Sequence, residues 1–377
     1  MIIGVDIREW QPGRRTGIGR FLDGFLRAGT FRRPKDRFLL IGDTTCEVRV
    51  QGENVEVVRI PERWTVWWDQ VTLPSALKRG GADVFYSPYI KVPLLTSVPV
   101  VSTIHDLSFF VDDRYNDRPI DLWLNPPFRL FCLLVVRRAA AVLVDSHTSA
   151  RDVQRLLGAH RDKLCVIPLA SSPAFCPHGN PMADVEVCTR YGLKKGYVLY
   201  VGGFKPHKNV PNLIRAYAAL PKALRARCPL VLVGGPPPKD LDDQIRTSEA
   251  WNDIKSVGLV TDDDLPALYR GAAVFAFPSY YEGFGLPVLE AMACAIPVVC
   301  SNTPALLELA DDAALLRNPD DPAAWAVALR ELLEDPVRRQ MLASRGTKRA
   351  AQYSSVRMTE AIFTVLDEVV RGRYEAG

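Results

Sequence analysis

The feature that most constrains the fold of this chain is a regular alternation of short apolar runs, rich in β-branched residues, with longer amphipathic stretches. In the first half of the chain the runs are Ile2–Ile7, Arg37–Ile41, Val55–Ile60, Val84–Ser87, Val98–Ile104, Ala141–Asp145 and Leu164–Ile167. Such runs are typical of parallel strands buried on both faces, and the stretches between them are typical of crossover helices. The alternation therefore predicts an α/β protein with a parallel sheet covered by helices on both faces.

The alternation stops after Pro168, where the chain becomes rich in Pro and Gly and loses its periodicity, and then it begins again. The second series of runs is Tyr197–Val201, Leu230–Val233, Ile254–Val257, Val274–Phe277, Pro297–Ser301 and Ala314–Leu316. Two domains are also the usual outcome for 377 residues, because single cores seldom grow that large. We therefore predict an N-terminal Rossmann-like domain at 1–170, a linker at 171–190, a second Rossmann-like domain at 191–355 and a C-terminal helix at 356–377, expected against the first domain.

Composition excludes several other classes of protein. A hydrophobic content of 48% and a charged content of 24% are ordinary for a soluble globular chain. The longest apolar stretch, from Leu130 to Val144, is interrupted by Arg137 and Arg138, so no transmembrane segment is predicted. The N-terminal apolar run is short, meets a charge at Asp6 and has no basic residue before it, so no leader is predicted. The eight cysteines include no C-x-x-C pair, and Cys294 and Cys300 are expected to be buried thiols. These features predict a cytoplasmic protein without structural zinc.

Charge is divided unevenly along the chain. Residues 1–170 hold 24 Lys and Arg against 19 Asp and Glu, while the remainder is close to neutral. This surplus is too small to predict a nucleic-acid partner, but it leaves peripheral contact with an anionic membrane face as an open alternative.

Two glutamates, Glu282 and Glu290, bracket a glycine turn in the second half. Gly283 and Gly285 let the backbone approach a ligand, and Pro287 is expected to begin a helix that holds Glu290 in its first turn. A helix N-terminus favours a phosphate, which carboxylates would repel. We therefore interpret the two acids as acceptors for neutral hydroxyls beside a phosphate, as an acidic residue binds a ribose diol in dinucleotide folds. The alternative is a pair of acids that complements the helix dipole.

The second domain opens with a strand, a glycine pair that includes Gly203, and the potential cations Lys205, His207 and Lys208. Lys208 is expected at the start of the next helix, where an ammonium group can neutralise a diphosphate. The alternative is an ordinary strand-to-helix turn with surface lysines.

The first domain offers two further candidates. Gly17 and Gly19 lead from the first strand into a helix, a phosphate-binding arrangement that lacks the third glycine of the dinucleotide fingerprint and so disfavours an NAD-dependent oxidoreductase. The strand ending at Ile104 runs into His105 and Asp106, which places an imidazole at the carboxyl end of a strand. We expect Asp106 to fix the tautomer of His105.

Two other segments are interpreted as structural. Asp262, Asp263 and Asp264 precede a helix and are expected to cap it, and since no Asp-x-Asp motif ends a strand, no metal is predicted. The segment 63–70 holds three of the seven tryptophans. Such a cluster is usually core, and a sugar-stacking or membrane-interface patch is the alternative.

With these features together, the chain resembles family 4 glycosyltransferases, retaining enzymes of the GT-B fold that use nucleotide-activated sugars. The most specific likeness is the E-x7-E signature from Glu282 to Glu290, with Pro278-Ser279 before it and Pro297-Val298-Val299 after it. The Gly-Gly-x-x-Pro-x-Lys-Asn turn, the Thr-Gly-Ile-Gly-Arg loop and the His-Asp pair also resemble the family. The resemblance spans nearly the whole chain and implies two Rossmann-like domains that face a central cleft.

The resemblance implies roles for the matching residues. It implies that Glu290 holds the ribose, that Glu282 contacts hydroxyls of the donor sugar and that Lys208 binds the diphosphate. The implied catalytic set is His105, Asp106, Lys208 and Glu282, with His105 near the reacting carbon. The remaining positions implied on the donor side are Gly17, Gly19, Gly203, Val260, Gly283, Phe284, Gly285 and Leu286.

One departure from the family pattern bears on the identity of the donor. Many family members carry an Arg at the position of Gly203 that grips phosphate, and here Lys205 or His207 is expected to compensate. Members with a small residue there are similar to mannosyltransferases of surface polysaccharide assembly, which favours GDP-mannose as the donor and a glycan or lipid-linked glycan as the acceptor. The nucleotide sugar is a substrate, so no cofactor is predicted. A glycoside hydrolase that uses the Glu pair and a non-catalytic nucleotide-sugar-binding protein remain as alternatives.

Overall fold

The computed structural model describes residues 1–13, 16–111 and 119–372, with the backbone alone for residues 119–125. The chain forms two compact units. The first unit holds Met1–Phe110, the elements from the helix at Pro119 to Ala170, and the C-terminal helix; the second unit holds Ser171–Tyr353.

The first unit is built on a sheet of seven parallel strands in the order β3-β2-β1-β4-β5-β6-β7. The strands are β1 (Ile2–Asp6), β2 (Arg37–Gly42), β3 (Val55–Arg59), β4 (Val84–Ser87), β5 (Val100–Ile104), β6 (Ala141–Val144) and β7 (Leu164–Val166). The helices between them are α1 (Gly17–Arg32), α2 (Thr65–Trp67), α3 (Leu73–Arg79), α4 (Ser108–Val111), α5 (Pro119–Arg138) and α6 (His147–Leu157). A π-helical turn, Trp68–Thr72, joins α2 to α3.

The second unit is built on six parallel strands in the order β10-β9-β8-β11-β12-β13. The strands are β8 (Tyr197–Val201), β9 (Leu230–Val233), β10 (Ile254–Gly258), β11 (Ala272–Phe277), β12 (Val298–Ser301) and β13 (Leu315–Arg317). The helices are α7 (Pro181–Arg190), α8 (Val210–Ala218), α9 (Lys222–Arg227), α10 (Lys239–Thr247), α11 (Leu265–Gly271), α12 (Leu286–Ala293), α13 (Pro304–Ala310), α14 (Pro322–Glu334) and α15 (Pro336–Ala350).

The prediction of two doubly wound parallel sheets is confirmed, and the predicted strands differ from the observed ones by no more than two residues at an end. Strand order reverses between β1 and β4 in the first sheet and between β8 and β11 in the second. At such a switch point the loops diverge to opposite faces and leave a crevice beyond the carboxyl ends of the strands. The expected linker at 171–190 differs from the structure, because it contains α7, whose Asp184 is paired with Arg270 of the second unit.

The last helix, α16 (Ser355–Val370), belongs to the first unit. Ser354 caps its N-terminus by accepting a hydrogen bond from the Arg357 N–H. The Phe363 ring lies 5.5 Å from that of Phe25 and 6.2 Å from that of Phe38, measured between ring centroids. The helix therefore completes a core made by the first strands of the chain.

The expectation that the tryptophan segment is core holds only for Trp68, which is buried beneath the guanidinium group of Arg8 at 3.9 Å. Trp64 and Trp67 are 79% and 61% exposed. The difference follows the boundary between two elements, because α2 buries none of its residues whereas the π-helical turn buries Trp68 and Asp69. Within the described residues, no helix combines the length and apolar character that crossing a bilayer requires.

Candidate active site

At the switch point of the second sheet, the loop after β8 and the loop after β11 are held together by three contacts. The Lys208 ammonium lies 2.6 Å from Oε1 of Glu282. The Tyr280 N–H donates to the His207 carbonyl at 2.8 Å, and the Asn209 amide donates to the Pro278 carbonyl at 3.2 Å. The two loops therefore form one structured edge, which brings together a cation and an acid that the sequence predicted separately.

The Lys208–Glu282 pair is partly enclosed, with side chains 20% and 12% exposed. The ammonium also lies 5.5 Å from the centroid of the Phe277 ring, which favours a cation. An ammonium has three N–H donors, and one contact to Glu282 uses one of them. The pair can therefore hold an anion through Lys208 and a hydroxyl through the second oxygen of Glu282.

The N-terminus of α12 lies on the same edge. Gly285 has φ of +107°, and a Cβ there would come within 2.5 Å of the Leu306 side chain, so the turn requires glycine. Pro287 is the second residue of the helix rather than its first, and it lacks an N–H. Gly285 and Leu286 therefore supply the N–H donors at this terminus, where the helix dipole favours an anion.

Glu290 lies deeper than expected. It was predicted in the first turn of α12, but it is the fifth residue of the helix and is only 1% exposed. The Tyr269 hydroxyl donates to Glu290 Oε2 at 3.1 Å and also lies 3.3 Å from the Pro287 carbonyl. Helix-dipole complementation does not explain a carboxylate buried beyond the first turn, so its hydroxyl contact favours a role as an acceptor.

The remaining predicted positions of the second unit also follow carboxyl ends of strands. Gly203 is exposed, and a Cβ added to it would meet no atom within 4 Å. Its carbonyl accepts a hydrogen bond from the Tyr200 hydroxyl at 2.7 Å. Val260 lies two residues after β10. Of the two residues expected to compensate for a missing Arg, Lys205 is exposed, whereas His207 is buried.

In the first unit, His105 follows β5, and both of its ring nitrogens face acceptors. Nδ1 lies 2.8 Å from Oδ2 of Asp145, and Nε2 lies 2.9 Å from the Pro88 carbonyl. Since a carbonyl accepts only from an N–H, Nε2 carries a hydrogen. Burial lowers the pKa of His105, but the Asp145 carboxylate and the Pro88 carbonyl raise it, and the net direction is upward. Burial also raises the pKa of Asp145, so the hydrogen between Nδ1 and the carboxyl is shared by a coupled pair.

The expectation that Asp106 fixes the His105 ring is wrong. Asp106 is exposed, and its Oδ1 accepts from the Ser108 N–H at 3.1 Å and the Ser108 hydroxyl at 2.8 Å. Asp145, at the end of the neighbouring strand β6, holds the ring instead. Asp106 bonds within its own loop, to Ser108. The carboxylate that reaches the His105 ring comes from β6, which pairs with β5.

The glycine loop of the first unit is a capped helix start. Thr16 accepts a hydrogen bond from the Gly19 N–H at 3.0 Å and donates its hydroxyl to Glu9 at 2.9 Å. The Gly19 N–H is thus engaged within the protein, and the donors that this turn offers a ligand are those of Gly17 and Ile18.

Two models of known families match this chain in succession. The model described as "Glycosyltransferase Family 4" matches residues 32–170, and the model described as "Glycosyl transferases group 1" matches residues 190–349. The chain belongs to glycosyltransferase family 4. The resemblance drawn from the E-x7-E signature is thereby confirmed.

Relatives of this glycosyltransferase include proteins named for sugar transfer. It is 35% identical over 262 residues to O-antigen chain mannosyltransferase B of Escherichia coli, a match that covers 67% of this chain and 66% of that protein. It is 34% identical over 292 residues to D-inositol 3-phosphate glycosyltransferase of Salinispora tropica, covering 72% and 60%. The chain thus spans about two thirds or less of the length of these relatives.

A solved structure of HepE from Anabaena, in complex with UDP-glucose, aligns with 97% of this glycosyltransferase and 99% of its own chain. The TM-score is 0.75 and the sequence identity is 20%. At that identity the likeness concerns the fold alone, and it supports the GT-B class predicted for the two sheets.

Three residues of the candidate site were missed from the sequence. Asn209 takes φ of +54°, which Asn tolerates, and its amide joins Pro278 to the Pro319 carbonyl at 2.8 Å. Its position between Lys208 and the start of α8 was the available signal. Asp145 and Tyr269 gave no signal, because each acts on a residue that is distant in sequence.

The structure also bears on the expected cap of α11 and on two expected buried thiols. Asp264 does not cap α11 with its side chain; it accepts from Arg190 at 3.0 Å and from the Tyr191 hydroxyl at 2.9 Å. Cys294 and Cys300 are buried as predicted, and burial raises the pKa of each thiol to about 12.

Proposed function

We propose that this glycosyltransferase moves a sugar, with retention of configuration, from a nucleotide-diphosphate donor to a glycan or lipid-linked glycan acceptor in surface polysaccharide synthesis. The observation that carries the proposal is the edge of the second sheet, where Lys208, Glu282 and the N-terminus of α12 lie together. One edge offers a cation, helix N–H groups and carboxylates, which are the groups that a diphosphate flanked by two sugars requires.

The chemistry needs charge stabilisation more than proton transfer on the leaving group. As the bond from the sugar to the diphosphate breaks, negative charge builds on the diphosphate oxygens, and a diphosphate leaves without being protonated. Lys208 and the N–H groups of Gly285 and Leu286 would stabilise that charge. Because these groups are held in place before the donor binds, they need little reorganisation. We expect turnover to persist in the presence of a metal chelator.

The carboxylates have a different task in this proposal. Glu290, already in contact with the Tyr269 hydroxyl, would accept from the ribose, and Glu282 would accept from the hydroxyls of the transferred sugar. Neither needs to act as the acid or nucleophile of a hydrolase. In the first unit, His105, held by Asp145 and the Pro88 carbonyl, would contact the transferred sugar.

We propose GDP-mannose as the donor. Support comes from the name of the relative in Escherichia coli, a mannosyltransferase, and from Gly203, the small residue at the position where many members carry Arg. The Anabaena protein of the same fold was solved with UDP-glucose, so UDP sugars belong in the same test. A thermal-shift panel of GDP-mannose, UDP-glucose, GDP and UDP tests the choice, because the ligand that binds the folded state most tightly raises its melting temperature most.

The site assignment is tested with Lys208→Ala and Glu290→Ala. Each removes a charge-assisted contact, so we expect the dissociation constant of the nucleotide sugar, measured by calorimetry, to rise roughly tenfold or more. Lys222→Ala and Glu331→Ala remove like charges elsewhere on the second unit and should leave binding unchanged.

Unchanged affinity in both site variants would contradict the assignment. Binding without release of free nucleotide from any sugar nucleotide, in the presence of an acceptor extract, would favour the non-catalytic alternative. Hydrolysis of aryl glycosides would favour the hydrolase.

A further inference from the structure

A line of hydrogen bonds crosses the carboxyl edge of the first sheet. It runs over β1, β4, β5 and β6, which lie side by side in that order. Asp6 ends β1, the loop 88–91 follows β4, His105 follows β5 and Asp145 follows β6. The half of the line between His105 and Asp145 belongs to the candidate site, whereas the half between Asp6 and the loop has no role in the function proposed above.

Asp6 is fixed at its end of the line by Arg8. The Arg8 guanidinium donates to Oδ2 of Asp6 at 2.7 Å, and the Arg8 backbone N–H donates to Oδ1 at 2.9 Å. The same guanidinium lies 2.6 Å from Asp69. Asp6 is fully buried and Arg8 is 6% exposed. A buried ion cluster is often no more stabilising than apolar side chains of the same volume, so core stability alone does not explain this one.

Tyr89 joins this cluster to the loop after β4. Its hydroxyl donates to Oδ2 of Asp6 at 2.9 Å, and its carbonyl accepts from the hydroxyls of Ser87 at 2.7 Å and Ser102 at 3.1 Å. All of these side chains are buried. Both parts of Tyr89 are therefore held, the side chain by β1 and the backbone by β4 and β5.

The residue before Tyr89 supplies an acceptor for His105. The Pro88 carbonyl lies 2.9 Å from Nε2 of His105. Since the pyrrolidine ring fixes φ of Pro88, the direction of this carbonyl depends on ψ of Pro88 and on where the backbone of Tyr89 lies. The contacts that hold Tyr89 therefore also set the carbonyl that holds the His105 ring.

We propose that Tyr89 is a positioning residue for sugar transfer, because it holds the Pro88 carbonyl that fixes the His105 ring. The inference rests on the proposed contact of His105 with the transferred sugar. The ring is held at both nitrogens and packed edge-on by Phe21, with 5.1 Å between ring centroids. A small displacement of such a ring should lower the rate of transfer more than the affinity for the donor. A cluster that only stabilised the sheet would not act on His105.

The first test is NMR of the His105 ring in the protein without substrates. In the wild type the hydrogen on Nε2 is held by a carbonyl, so it should exchange slowly with water. Tyr89→Phe removes the hydroxyl that anchors the loop, and we expect this exchange to become about tenfold faster or more. Tyr86→Phe is the matched control, because the Tyr86 hydroxyl is buried in the same sheet but bonds to Thr103 rather than to the loop.

The second test is kinetic and follows release of GDP from GDP-mannose in the presence of an acceptor extract. Tyr89→Phe should lower kcat about five- to twentyfold and leave the KM for GDP-mannose within about twofold. In a His105→Ala background, Tyr89→Phe should lower kcat no further, because the ring through which Tyr89 acts is gone. Tyr86→Phe should leave kcat close to that of the wild type. The melting temperatures of the two Tyr variants should fall alike, so a loss of stability cannot account for a difference between them.

Any of four results would overturn the proposal. They are unchanged exchange of the Nε2 hydrogen in Tyr89→Phe, equal acceleration in Tyr86→Phe, unchanged kcat in Tyr89→Phe, and a loss of kcat in Tyr89→Phe that is the same with and without His105. The exchange measurement needs no donor, so it decides whether Tyr89 holds His105 independently of turnover. A wild-type chain that released no GDP would contradict the proposed donor alone.

Discussion

His105 shows how two neighbours fix the hydrogens of one ring. Its Nε2 faces a carbonyl and its Nδ1 faces Asp145, so a hydrogen on Nε2 and one shared between Nδ1 and the carboxyl satisfy both contacts. The raised pKa of His105 has a consequence for stability. The contribution of the His105 shift is fully present below the unfolded-state pKa of His, about 6.5, and is lost as the pH rises through the higher folded-state pKa. Burial raises the pKa of Asp145 as well, so its carboxyl also takes up a proton more readily in the folded state.

We predict that Asp145→Asn lowers the pKa of His105 and removes most of that pH dependence, because Asn keeps the shape but not the charge. The free energy of unfolding should fall by roughly 1–3 kcal/mol below pH 6.5. Asp106→Asn is the matched control and should leave the pKa of His105 close to that of the wild type. NMR titration of the His105 ring protons measures the pKa of His105 in both variants. A larger effect from Asp106 than from Asp145 would contradict the observed pairing.

Gly203 permits a gain-of-function test. A side chain there meets no atom within 4 Å of its Cβ, and Gly203 does not have the left-handed φ that would strain one. We therefore expect Gly203→Arg to fold normally and to bind the nucleotide diphosphate about five- to tenfold more tightly, through an added charge-assisted contact. Gly203→Gln, of similar reach without charge, should show no gain in calorimetry. An equal gain in both variants would argue against a phosphate near this turn.

At the scale of elements, the start of α12 depends on one backbone conformation. Gly285→Ala would force a side chain into φ of +107° and into the space of Leu306. We expect a loss of at least about 1–3 kcal/mol in the free energy of unfolding, with weaker nucleotide binding. Gly17→Ala, at a helix start with open space around it, should be neutral or slightly stabilising. Urea denaturation measures the free energy of unfolding of each variant. Equal losses in the two variants would contradict the prediction.

The sequence predicted elements better than contacts, for physical reasons. Strands such as Tyr197–Val201 were found because burial on both faces leaves a continuous apolar run in the sequence. The pairing of Lys208 with Glu282 was not predicted, although both residues were, because it depends on β8 lying beside β11. The contact of Asp145 with His105 depends in the same way on β6 lying beside β5. Local pattern identifies which residues end at a sheet edge, whereas strand order decides which of them meet.

At the scale of the whole molecule, the chain crosses to its second unit and then returns, so that its last helix stabilises its first strands. Phe363 is 2% exposed, packs on Phe25 and Phe38, and lies against Gly29, where a Cβ would come within 2.9 Å of its ring. Arg33 adds an ion pair to Asp367 at 2.6 Å. The first unit therefore cannot complete its core until α16 has been synthesised.

We predict that Phe363→Ala destabilises the first unit by about 3–5 kcal/mol, the usual result of removing a buried aromatic ring. Hydrogen exchange followed by peptide mass spectrometry should show faster exchange in α1, β1, β2 and β4, while β8 and β11 keep their protection. Val356→Ala, at an exposed position of the same helix, is the control and should change neither the stability of the first unit nor its hydrogen exchange. Equal acceleration in both units would show that α16 supports the two alike, contrary to its packing on α1, whereas no acceleration would show that the Phe363 contacts contribute little to the core.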